Sequence, residues 1–135
     1  MGMGDDTDTE SIMNVESNLK AIAISWIEAQ KYDVDDNRYH KYSWAVDEVL
    51  KFTHDRPDKL WEIILVILNA DQSDTTVRSI GAGPLEDLLV YHGKSYIDKV
   101  IKSAEKNIIL KISAKSTDIS DVNDAIRKKF NAGLK

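Results

Sequence analysis

A chain of 135 residues, 42% apolar and 30% charged, has the size and composition of one globular domain able to bury a core without staples. It has no cysteine, which excludes disulfides and thiolate metal sites, and its three histidines, His40, His54 and His92, match no zinc-ligand spacing. The net charge of −5 is unevenly divided: residues 1–93 hold 18 acidic and 8 basic residues, a balance of −10, whereas residues 94–135 hold 5 and 10, a balance of +5.

The start, Met1 to Glu10, is acidic and polar. It lacks the basic and apolar stretches of a secretory signal and has nothing to bury, so a disordered terminus over 1–10 and a single helical domain over 11–135 are expected. The longest apolar run, Ile63 to Leu68, is far shorter than the roughly 20 residues of a membrane span. No membrane association and a cytoplasmic location follow as expectations.

From Ser11 to Lys31, Ile12, Val15, Leu19, Ile22 and Trp26 recur at spacings of three and four, the stripe of an amphipathic helix. Asp35 or Asp36 can cap a second helix, Asn37 to Thr53, with Tyr42, Ala45, Val46, Val49 and Leu50 facing inward. Asp55 is placed to cap a third helix, with Pro57 in its first turn. The segment Leu60 to Ala70 is apolar on nearly every face, as in a helix surrounded by others; its length and proline start favour helix over buried strand.

A short helix over Asp74 to Ile80 leads into Gly81-Ala82-Gly83-Pro84, then Leu85 to His92 closed by Gly93, and a helix from Ser95 to Lys106. Asn107 can cap Ile108 to Lys115, where alternation of Ile108, Leu110 and Ile112 keeps a strand over 108–113 open. Asp118 can cap a last helix with Val122, Ile126 and Phe130 inward. The sum is all-α: six or seven short helices packed as hairpins in a compact bundle or a short α-solenoid.

The most distinctive segment is Ile80 to Leu89 with His92-Gly93. It reads as an elbow between helices: Gly81 in the left-handed conformation ending one helix, Gly83 as the next N-cap, Pro84 first in the helix. Glu86 and Asp87 would meet the positive end of the helix dipole, and Gly93 would stop the helix after His92. The glycines form no phosphate loop, because no Lys-Ser/Thr follows and two carboxylates occupy the place of the anion.

With Trp26-Ile27, Asp55-Arg56-Pro57 through Trp61, Tyr96-Ile97-Asp98 and Ala104, this segment resembles an uncharacterised bacterial family. That family is a small helical domain of unknown function marked by a Gly-Ala-Gly-Pro-Leu-Glu-Asp-Leu-Leu core and a trailing His-Gly. The resemblance runs from Leu19 to Lys115, leaving out the acidic start and the last helix. It implies a small helical fold and, the family having no assigned activity, transfers no catalytic residue.

No nucleophile sits beside a base, so no catalytic residue, metal or cofactor is expected. Trp26 and Trp61 fall on core faces, whereas Trp44 lies off its helix's stripe. With Tyr39 it can form an exposed aromatic patch rimmed by Asp47, Glu48 and Lys51, the composition of a protein interface. Lys99, Lys102 and Lys106 share a helical stripe, yet a pI near 5.1 argues against nucleic acid.

The leading expectation is a protein-interaction domain with a basic protein partner, in its narrow form an immunity or antitoxin-type inhibitor of a basic toxin. One alternative is an enzyme with Glu86, Asp87 and His92 in a cleft. The other is a helical scaffold that self-associates as a homo-oligomer through aromatic residues such as Trp44.

Overall fold

The computed structural model describes residues 18–134. The expectations for the terminus, 1–10, and for the first turns of the first helix, 11–17, lie outside the described residues. Helix α1 covers 18–29 and buries Leu19, Ile22, Ala23 and Trp26, the predicted stripe.

Helix α2, Asn37–Asp55, is capped by Asp36, whose carboxylate accepts from the Arg38 N–H at 2.8 Å. Hydrogen bonds from the Arg38 guanidinium and backbone hold the Asp36 carboxyl down at about 2. Ala45, Val49 and Thr53 are buried, but Leu50, expected inside, is half exposed: it lies at the edge of the stripe and faces out.

Helix α3, Pro57–Ala70, follows after the single residue Arg56. Asp55 therefore closes α2 and does not cap α3. Pro57 at the first position has no N–H to satisfy, and no side chain caps this start. Leu60, Ile63, Ile64 and Ile67 are fully buried, each worth roughly 1.5–3 kcal/mol in transfer terms. The all-round apolar segment is thus helical and central, touching α2, α4, α5 and α6.

Helix α4, Asp74–Ile80, is tied to the end of α3 by Asp71. Its carboxylate accepts from the Ser73 N–H at 3.2 Å, the Ser73 hydroxyl at 2.9 Å and the buried Thr76 hydroxyl at 2.5 Å. These bonds, the Thr76 hydroxyl first, hold the Asp71 carboxyl below its ordinary value. A depressed carboxyl contributes stability that is complete above the unfolded pKa of 3.8 and is lost as pH falls through the lower folded value. Asp71→Ala should lower unfolding free energy by about 1–2 kcal/mol at neutral pH, and the deficit should shrink in urea melts taken below that window. A deficit constant from neutral pH into strong acid would remove Asp71's charge from the account.

The central segment departs most from expectation. Gly81 is right-handed (φ −61°, ψ −44°), and no glycine among the described residues has positive φ. The chain does not turn an elbow; it runs on through a π-helical turn, Gly81–Leu85, into α5, Glu86–Lys106. Pro84 has no N–H for the carbonyl four residues back, and the wider π ring passes that carbonyl to the following residue while making room for the pyrrolidine. Gly83 is accordingly no N-cap. Gly93 does not stop the helix: the path kinks at His92 (φ −134°, ψ 21°) and resumes, with Gly93 buried beneath Ile126.

Helix α6, Ile108–Lys115, resolves the open alternative: Asn107 caps it through the Leu110 N–H at 3.1 Å, and Leu110, Ser113 and Ala114 are buried at helical spacing. Ile108 and Ile112 face out. Helix α7, Asp124–Gly133, is capped by Asn123 through the Ala125 N–H at 2.9 Å. Asp118, expected in that role, accepts from the Ser120 N–H in a turn upstream, and Val122 is buried before the helix begins.

No strand occurs among the described residues, and one apolar cluster runs from Leu19 to Leu134. The fold is all-α, a compact bundle. None of the described helices is long and apolar enough to cross a membrane.

Candidate functional site

Two grooves open where α1 lies against α2, and α2 supplies a different face to each. Trp44, Glu48 and Phe52, spaced by four, line the first; Val46, Val49, Leu50 and Thr53 line the second.

The first groove holds about 440 Å³. Leu19 and Ile22 of α1 and Phe52 form its apolar floor, with Glu48, Arg56 and Lys59 at the rim. Each rim charge has a near partner: Glu48 with Lys51 at 3.3 Å, Arg56 with Asp58 at 2.9 Å, Lys59 with Glu62 at 3.4 Å. Such exposed pairs contribute little to stability and separate readily. Trp44 stands at the mouth, 46% exposed.

Of the predicted interface residues, Trp44 and Glu48 meet here. Asp47 is exposed one position round the helix and outside the lining, and Tyr39 is half-buried, its ring edge-on to His40 at 6.0 Å. The expected Tyr39–Trp44 patch is therefore replaced by a Trp44 groove whose other wall, Leu19 and Ile22, had read only as core.

The second groove, about 180 Å³, is bounded by Trp26 of α1, Gln30 just past its end, the α2 residues above, Ser79, the π turn at Gly83 and Pro84, and Asp87. Glu86 and Asp87, adjacent in sequence, look to different neighbours. Glu86 faces the α6–α7 connection, where burial and the Asp118 charge push its carboxyl up. Burial also raises the Asp87 carboxyl, against the pull of the His54 imidazole.

His92 takes a third direction. Its Nε2–H donates to the Thr53 carbonyl at 2.6 Å. That carbonyl sits in the last turn of α2, and the residue four ahead is Pro57, which has no N–H. The imidazole supplies the donor the proline lacks. Glu86 thus lies by Asp118, Asp87 has no hydrogen-bond or ion-pair partner among the described residues, and the His92 imidazole is taken by the Thr53 carbonyl. Glu86 and Asp87 do not sit at a free helix start, because Leu85 before them is itself helical. No group of three or more His, Asp or Glu among the described residues is placed to hold a metal ion.

A family model described as "Family of unknown function (DUF6869)" matches residues 32–132. The match reaches through α7 to residue 132, a helix the sequence resemblance left out, and begins after α1. No curated protein and no solved structure matches the chain.

Proposed function

The chain belongs to this family of unknown function, and from its own surface we propose that it is a protein-interaction domain whose Trp44 groove receives an apolar anchor from a basic protein partner. The supporting observation is a half-exposed tryptophan at the mouth of an apolar, charge-rimmed groove. Tryptophans so placed dominate binding energy at interfaces, and an apolar floor with a polar rim is the anatomy of a protein contact. The −10 balance over residues 1–93 gives the direction of charge: it attracts a basic partner and speeds encounter. In its narrow form the protein is a cytoplasmic immunity or antitoxin-type inhibitor covering a basic toxin.

The test is retrieval from the native cell with the tagged chain beside its Trp44→Ala and Glu48→Lys variants. A basic protein should be held by the parent, weaken with salt, and lose about 30-fold or more in affinity to Trp44→Ala. A protein retained equally by parent and both variants would remove the groove from the interaction. A parent that forms only a dimer abolished by Trp44→Ala would replace the partner reading with self-association.

A further inference from the structure

We propose that the second groove is a binding pocket for an alkylammonium or guanidinium group, seated on the Asp87 carboxylate with its methylene stem against Val49, Leu50 and Pro84. This site is distinct from the Trp44 groove and does not depend on the partner reading.

The acid is the starting point. Asp87 is half-buried, and no described residue donates a hydrogen bond to its carboxylate or forms an ion pair with it. An unpaired carboxylate in partly apolar surroundings destabilises a fold, and burial already pushes this carboxyl up. It has no capping role, since the helix does not begin there. The ionisable group that acts on it is His54, an exposed imidazole at the end of α2 that packs edge-on against Tyr91.

The lining fixes the sign of the occupant. Gln30 Nε2–H is directed to the Trp26 carbonyl at 3.3 Å, which leaves the amide oxygen as an acceptor. Ser79 adds a hydroxyl, the Thr53 hydroxyl is taken up by the Val49 carbonyl at 3.2 Å, and the other walls are mostly apolar. A site whose one charged lining group is a carboxylate, with an amide oxygen and a hydroxyl oxygen beside it, takes a cation carrying several N–H groups.

The space fixes its size. About 180 Å³ holds roughly six water-sized atoms, the bulk of a short aliphatic amine. Gly83 borders this space; nothing lies within 4 Å of where its Cβ would stand, and its φ is not positive. Neither packing nor conformation demands glycine there, and its lack of a side chain keeps the entrance open.

The test is an NMR titration of the ¹⁵N-labelled full chain with n-butylammonium, agmatine and Nα-acetyl-lysine amide, with n-butanol as the neutral isostere. Saturable shifts are expected at Gly83, Asp87 and Thr53 with the cations and not with n-butanol. Asp87→Asn and Gly83→Leu should each weaken binding about tenfold or more, and Trp44→Ala should leave it unchanged. Nα-acetyl-lysine amide binding as well as n-butylammonium assigns the pocket to a basic side chain of another protein; its exclusion assigns the pocket to a free amine. Asp87→Asn should also raise the melting temperature of the unliganded protein, as expected where a functional acid is held at a cost to stability. Shifts that do not saturate, survive Asp87→Asn or appear equally with n-butanol would overturn the proposal, as would a lowered melting temperature in Asp87→Asn.

Discussion

Gly81→Ala should cost about 3 kcal/mol or more of unfolding free energy, while Gly83→Ala, two residues on in the same π turn, should cost nothing or gain about 0.4–1 kcal/mol. The contrast comes from what lies opposite each residue. A Cβ on Gly81 would overlap the Ser113 carbonyl oxygen and come within 2.9 Å of the Ser116 Cβ. The first obstacle is backbone of a buried helix turn and has no rotamer by which to yield. Ser113 is itself fixed there, its hydroxyl donating to the Val77 carbonyl at 2.8 Å. Accommodating a methyl means lifting α6 from α4, which breaks that bond and opens the core around Leu110 and Ile80. A Cβ on Gly83 meets nothing within 4 Å, so alanine there only restricts the unfolded chain. Urea melts of both variants, with unchanged slope, read the difference directly. Equal effects would mean that the approach of α6 does not explain the first glycine.

That pair also shows where sequence reasoning stopped. Signals acting within one helix were legible: the Asp36 and Asn107 caps, Pro57 at a first turn, the apolar surround of α3. Gly-Pro is ordinarily punctuation, because proline breaks an α-helix and glycine favours turns. Here the helix absorbs Pro84 by widening one turn, and Gly81 is small because a segment more than thirty residues away presses on it. Nothing local encodes that. Asp118 and Asn123 are equally good capping residues; the burial of Val122 between them selects the later one, and this is a tertiary fact. Leu50 had the right period and the wrong face, since position 46 or 50 can close the same stripe. Of the site, Trp44 was legible as a residue out of phase with its helix. The Asp87 groove was not, because its walls come from α1, α2 and the π turn. One local signal does point there: Pro57 strips the Thr53 carbonyl of its donor, so a distant side chain must supply one.

His92 is that donor, and removing it carries the second large effect. His92→Phe keeps an aromatic ring beneath the kink but offers no N–H, leaving the Thr53 carbonyl without a partner. An unsatisfied group of this kind costs about 1–3 kcal/mol, and His92→Ala should add a share for lost packing. His92→Gln, which retains a donor, should recover part of the loss. Hydrogen exchange locates the damage: amides in the last turns of α2 and around the α5 kink should open before the rest. The consequence reaches the groove, because Thr53 belongs both to this bond and to the wall facing Asp87. His92 therefore acts as a positioning residue, holding the end of α2 at the distance that sets the pocket's width. If so, His92→Phe weakens amine binding at temperatures where the protein is still fully folded, and His92→Gln restores it. Unchanged affinity in a destabilised His92→Phe would confine the imidazole to the stability of the kink and leave the pocket's shape to the π turn alone.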